Sequence, residues 1–141
     1  MYADSADLRR ILNFSFIEEN DITYKIRGCI FLVYKNLGPG LLESVYEAAL
    51  LYELKKHNLE VKSQVVLPVL YDGINLEIGF RLDILVEEKV IIKIKSVKDL
   101  SKLHFKQLLT YLKLSRKKVG ILVNFNCENI TENIKRIVND F

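Results

Sequence analysis

Along "NDITYKIRGCIFLVYKNLGPG" the apolar positions Ile22, Ile26, Cys29, Ile30 and Val33 recur at three- and four-residue steps, the spacing of one helical face. Asn20 or Asp21 stands where an N-cap belongs, and Gly38-Pro39-Gly40 is a firm stop. A second helix is expected from about Leu41 to Lys56, with Val45, Ala49 and Tyr52 among its inward residues and its end at His57-Asn58. The pattern then changes period. "VKSQVVLPVLYDGINLEIGFRLDILV" holds two strand-like runs around Asp72-Gly73, a strong short-range hairpin signal, and "VIIKIKSV" reads as a third strand after the "EEK" turn. "LSKLHFKQLLTYLKLS" returns to helical spacing through Leu103, Leu108, Leu109 and Leu112. "KKVGILVNF" is an uninterrupted apolar strand, and "ENITENIKRIV" reads as a closing amphipathic helix. The predicted order is α-α-β-β-β-α-β-α: an α/β fold whose mixed sheet is flanked by helices, with a parallel pair where strand, helix and strand follow one another. Residues 1–20 carry no decisive pattern. "DLRRILNF" fits a turn or two of helix or a segment that packs on another surface.

Composition narrows the class. A chain of 141 residues, half of them hydrophobic, fits one domain over 21–141 and can bury a core without disulfide or metal staples. Cys29 and Cys127 lie far apart in apolar segments without the paired spacing of a zinc site, which fits buried thiols in a reducing compartment. "MYADSADLRRILNF" carries acids early and no long apolar run, so neither a signal peptide nor a membrane anchor is expected, and the expected location is the cytoplasm. The net charge of +3 is unevenly placed. From Lys89 to Lys118 there are ten Lys or Arg against Asp99 alone, a local +9 that leaves −6 for the rest of the chain. That block is either a polyanion-facing side or a solvated lysine-rich face. Within it Lys98, Lys102, Lys106, Lys113 and Lys117 form a rough helical stripe suited to phosphate contacts, which give affinity without base specificity. Aromatic interleaving is limited to Phe105 and Tyr111, so stacking on bases is not indicated.

The candidate chemistry sits in "RLDILVEEKVIIKIKSV". Asp83 lies toward the end of one strand, and the next strand places residues 93 and 95 on one face. Metal-assisted phosphodiester hydrolysis needs carboxylates to hold Mg²⁺ and a lysine beside the attacking water or the phosphate. Residue 95 is that lysine, but residue 93, where an acid is required, is Lys93. An ammonium has no lone pair to offer a metal. Glu43, in the first turn of its helix, could join Asp83 in a partial metal site opposed by Lys93, or serve only as an acid favoured by the helix dipole. Gln107 and Tyr111 share a helix face at a spacing of four, suited to a bound water or a base. His104, one turn before Gln107, reads as a surface residue within reach of phosphate, and His57 as a helix end.

Taken together, "LGPGLLESVYEAAL", "FRLDILV", "VIIKIKSV", "QLLTYLKL" and "VGILVNF" resemble the bacterial GxxExxY proteins, a branch of the PD-(D/E)XK nuclease superfamily, over about residues 20–138. Gly40, Glu43 and Tyr46 match the naming motif; Asp83 matches the first strand acid, Lys95 the lysine, and Gln107 with Tyr111 the glutamine and tyrosine of the exonuclease-like branch. The resemblance implies a restriction-endonuclease-like fold, Mg or Mn as cofactor, a nucleic-acid partner with DNA ahead of RNA, and catalytic roles for Asp83, Lys95, Glu43, Gln107 and Tyr111. Lys93 departs from it, which puts the cofactor in doubt. Three readings follow: a nuclease-fold protein that binds nucleic acid but cuts poorly, an active nuclease whose missing acid comes from elsewhere, with Glu87 and Glu88 as candidates, and a non-catalytic scaffold that forms a homo-oligomer.

Overall fold

A computed structural model describes residues 18–139. The expectation for "DLRRILNF" lies outside them. Helices α1 (Glu19–Leu37) and α2 (Glu43–Lys56) are followed by strands β1 (Val61–Tyr71), β2 (Ile74–Val86) and β3 (Val90–Lys95). Helix α3 (Lys102–Ser115), strand β4 (Val119–Asn124), a 3-10 turn (Ile130–Asn133) and strand β5 (Ile134–Val138) complete the chain. The five strands form one sheet in the order β1-β2-β3-β4-β5, antiparallel except for the parallel pair β3–β4. The predicted hairpin, parallel pair and buried strand are all present, and every residue of β4 is buried.

Several expectations are corrected. The closing helix is instead a 3-10 turn and an edge strand, β5, paired antiparallel with β4. Ile130, Ile134 and Ile137 satisfy helical spacing, but Asn129 and Asn133 tie the turn locally, through Oδ1 accepting from the Thr131 amide and Nδ2 donating to the Asn129 carbonyl. The β-branched Ile134, Ile137 and Val138 after it suit a strand, which fills the open edge of the sheet. At α1 the N-cap is Glu18, not Asn20 or Asp21. Asn20 is spent on a long-range contact, its Oδ1 accepting from Arg136 Nη2 at 2.6 Å. Helix α2 begins two residues later than expected and buries Tyr46, Leu50 and Leu54. Val45 is exposed, Ala49 only partly buried and Tyr52 64% exposed. This helix is apolar on two sides, so periodicity alone picks the wrong one. Likewise α3 buries Leu108 and Leu112 while Leu103 is 73% exposed.

The sheet separates two cores. Helices α1 and α2 cover one face through Ile22, Ile26, Ile30, Leu50, Ile92 and Ile121. Helix α3 covers the other through Leu108 and Leu112 against Leu85, Ile91 and Leu122. It sits close because β4 has Gly120 beneath it, where an added Cβ would meet Leu108 at 3.0 Å.

Candidate active-site face

Ile92 and Ile94 point into the α1/α2 core and Ile91 into the α3 core. Strand alternation therefore sets Lys93 and Lys95 together on one face, as the sequence predicts, and that face is the one α3 covers. The β2–β3 ladder pairs Val86 with Val90, Leu85 with Ile91 and Ile84 with Ile92, so the next step brings Asp83 opposite Lys93. There the carboxylate takes over from the backbone. Asp83 Oδ2 accepts from the Ile94 amide at 2.7 Å, and Oδ1 lies 3.5 Å from Lys93 Nζ. Both side chains are mostly buried, at 18% and 16% exposure, so the pair is shielded from solvent far more than a surface ion pair. The Lys93 ammonium also lies 5.9 Å from the ring centre of Tyr111, which stacks on Phe80 at 4.3 Å.

Two further residues, which no sequence motif marks, border this pair. Pairings Ser63–Ile84 and Val65–Leu82 bracket Gln64 opposite Asp83. Gln64 has φ 51°, a left-handed conformation costing roughly 1–2 kcal/mol, and its Nε2 donates to Glu47 Oε1 at 2.7 Å. Burial pushes the Glu47 carboxyl above its usual range and the Asp83 charge adds to this, while the Gln64 hydrogen bond and the Lys93 charge oppose it. Glu47, one turn after Glu43, is thus the α2 carboxylate that feels the Asp83–Lys93 pair. The four-residue spacing could have flagged Glu47. Nothing local flags Gln64.

The expected residues do not all converge. Glu43 opens α2 and lines a cleft with Leu41, Leu42, Ser44 and Ser96, and among the described residues no hydrogen bond or ion pair joins it to Asp83. Gly40 has φ 95°, and the Tyr46 hydroxyl grips the adjoining turn by donating to the Gly38 carbonyl at 2.6 Å and accepting from the Leu41 amide at 3.1 Å. The Tyr46 ring, fully buried, stacks on Phe125 at 4.4 Å. Its role is to hold the turn. Lys95 is half-buried without a carboxylate partner among the described residues, and its carbonyl accepts from the Phe125 amide at 3.0 Å. Gln107 is half-buried on α3 one turn before Tyr111. His104 completes the capping box of α3 with Ser101, and His57 is the C-cap of α2. Glu87 and Glu88 lie at the far end of the β2–β3 hairpin, where Glu87 Oε1 accepts from the Glu60 amide and Glu88 pairs with Lys62.

The basic block divides. Lys98, Lys102, Lys106 and Lys113 are exposed and Lys117 half-buried. On α3, Lys106 and Lys113 stand about 140–160° around the axis from Tyr111, at 100° per residue. These two lysines therefore face away from the Lys93 flank.

A sequence model of the PD-(D/E)XK nuclease superfamily matches residues 20–137. The chain belongs to this superfamily. Its five-stranded mixed sheet with flanking helices is consistent with the restriction-endonuclease-like architecture. Comparison with curated proteins and with solved structures finds no match. No helix among the described residues is long and apolar enough to cross a membrane.

Superfamily nucleases commonly use Mg or Mn, and the donor set here does not fit such an ion. Asp83 has one oxygen on a backbone amide and the other facing an ammonium, and residue 93 supplies positive charge in place of a ligand. Among the described residues no three of His, Cys, Asp and Glu come together as a metal group.

Proposed function

We propose that this superfamily member binds nucleic acid and cuts it poorly or not at all, with the Lys93 ammonium standing in for the cation of a nuclease site. The observation that carries the reading is the Asp83–Lys93 pair at 3.5 Å, in which the strand acid is neutralised from within the chain. An ammonium can satisfy the carboxylate electrostatically, but it cannot lower the pKa of a bound water as a divalent metal does. Lys95 and the exposed lysines 98, 102, 106 and 113, with Lys117, are the groups offered to phosphates, DNA ahead of RNA. Placement in the GxxExxY branch is supported by the physical sense of its motif here, with Gly40 at positive φ and Tyr46 clasping the turn before α2.

The test compares the natural chain with Lys93→Glu on labelled single- and double-stranded DNA and RNA, in Mg²⁺, Mn²⁺ and chelator. The expected result is metal-independent binding by the natural chain, with affinity falling by about 0.9 log unit per log unit of salt for each phosphate neutralised. Metal-dependent cleavage appears only in Lys93→Glu and is lost again on adding Asp83→Ala or Lys95→Ala. Robust metal-dependent cleavage by the natural chain, removed by Asp83→Ala, overturns the impaired-site reading and makes Glu47 the first candidate for the missing acid. Separate variants, Lys95→Gln with Lys98→Gln and Lys102→Gln with Lys106→Gln and Lys113→Gln, tell which lysine group carries binding.

A further inference from the structure

The β1–β2 hairpin runs well past the body of the sheet. Strand β2 pairs with β3 only over Ile84–Val86, while its pairing with β1 continues to Tyr71–Ile74. The base of this arm is held by Phe80 stacking on Tyr111. Beyond it Leu70, Tyr71, Ile74 and Leu76 are exposed, with Tyr71 at 72%. A free two-stranded ribbon is marginal in water, and apolar residues clustered at its end mark a surface made for contact. Charge says what it meets. From Gln64 to Phe80 there are two acids and no Lys or Arg, in a chain with 21 basic residues. A polyanion is thus the wrong partner for this arm.

The chain carries the complement on its own α3. Leu103 and Leu114, both exposed, stand beside exposed Lys106 and Lys113 on the outer arc of that helix, at neighbouring three- and four-residue steps through Thr110. The exposure of both sets shows that they do not meet within one molecule. We infer that the β1–β2 arm of one copy docks on the outer face of α3 of a second copy, its apolar tip on Leu103 and Leu114 and its acidic turn toward Lys106 and Lys113. A two-fold arrangement makes the exchange reciprocal and closes the assembly as a dimer. Arm and nucleic acid then compete for the same lysines, but the self-association itself does not depend on the nucleic-acid reading.

Sedimentation equilibrium of the full chain, without nucleic acid, tests this. The expected mass is twice 16.4 kDa. Tyr71→Lys with Ile74→Lys, and separately Leu103→Lys with Leu114→Lys, change exposed residues only and leave the circular dichroism spectrum unaltered. Each pair weakens dimerisation roughly tenfold or more, equivalent to about 1.4 kcal/mol. Mixing the two variants partly restores the dimer, because one intact arm then meets one intact helix face. A monomeric natural chain overturns the inference, as does a dimer untouched by either pair. Dimer loss caused by the arm pair alone, with the α3 pair leaving the mass unchanged, overturns arm-to-helix docking in favour of arm against arm. Arm substitutions that weaken DNA binding at unchanged mass give the arm to nucleic acid instead. Failure of the α3 lysine variants to alter DNA binding bears only on the proposed function.

Discussion

Two helices close one face of the sheet, whereas α3 alone closes the other, and Asp83, Lys93 and Lys95 stand on that second, thinly covered face. On the first face the polar groups at the core serve geometry: the hydroxyl of buried Tyr46 satisfies a turn, and the hydroxyl of half-buried Tyr34 donates to the Cys127 carbonyl at 2.5 Å. On the second face charged side chains occupy positions that apolar residues would fill in a closed core. A sheet can hold such groups only where its cover is incomplete, because an ammonium or carboxylate buried without a partner costs several kcal/mol. Coverage therefore sorts architecture from chemistry in this molecule.

That contrast can be broken most severely from the closed side. Tyr46→Ala removes the stack on Phe125 and both bonds to the Gly38–Leu41 turn, and is expected to lower unfolding free energy by about 3–5 kcal/mol in a urea titration. DNA affinity measured well below the new melting temperature should stay unchanged. On the open side Asp83→Ala leaves the Ile94 amide and the Lys93 ammonium without their acceptor, an expected loss of about 1–3 kcal/mol. It also adds net positive charge to the site, so DNA affinity should rise as stability falls. If both fall together, the open face is not a phosphate surface.

The smallest effect sharpens the comparison through pH. Because burial raises the Glu47 carboxyl in the folded state, the folded chain holds this proton more tightly than the unfolded one. The contribution is favourable below the unfolded value and is lost as pH rises from the ordinary 4.5 through the higher folded value. Glu47→Gln should flatten stability over that window. A denaturation series across it checks the sign, and an unchanged pH slope would remove Glu47 from the electrostatics of the site.

How much of this was legible beforehand depended on whether a residue's surroundings are local. The α1 stripe, the Asp72-Gly73 turn and the apolar run Val119–Val123 of β4 are plain in the sequence, because each pattern lies within a few residues. Placing Asp83 and Lys93 on adjacent strands needed only strand alternation and one hairpin. Periodicity points to the wrong face of α2 because Val45, Ala49 and Tyr52 offer an apolar side as well as the buried Tyr46, Leu50 and Leu54, and only tertiary packing chooses between them. Strand β5 is hidden in the sequence because Ile130, Ile134 and Ile137 fit helical spacing, and the open edge of β4 decides for a strand. Gln64 could not be found at all. Its meaning comes from Glu47 across 17 residues and from a left-handed backbone that its sequence does not demand.

Asn124, fully buried at the end of β4, accepts from the Val97 amide through Oδ1 and donates to the Val97 carbonyl through Nδ2, joining segments 27 residues apart. The loop that carries the chain from Lys95 into α3 is thus fastened by a strand made after it. Such non-local closure is slow relative to helix formation, since the intervening chain must be ordered first. During synthesis the charged face cannot take its final shape until residues through Asn124 have emerged. A chain cut short before that point would carry every acid and lysine of the candidate site without their geometry.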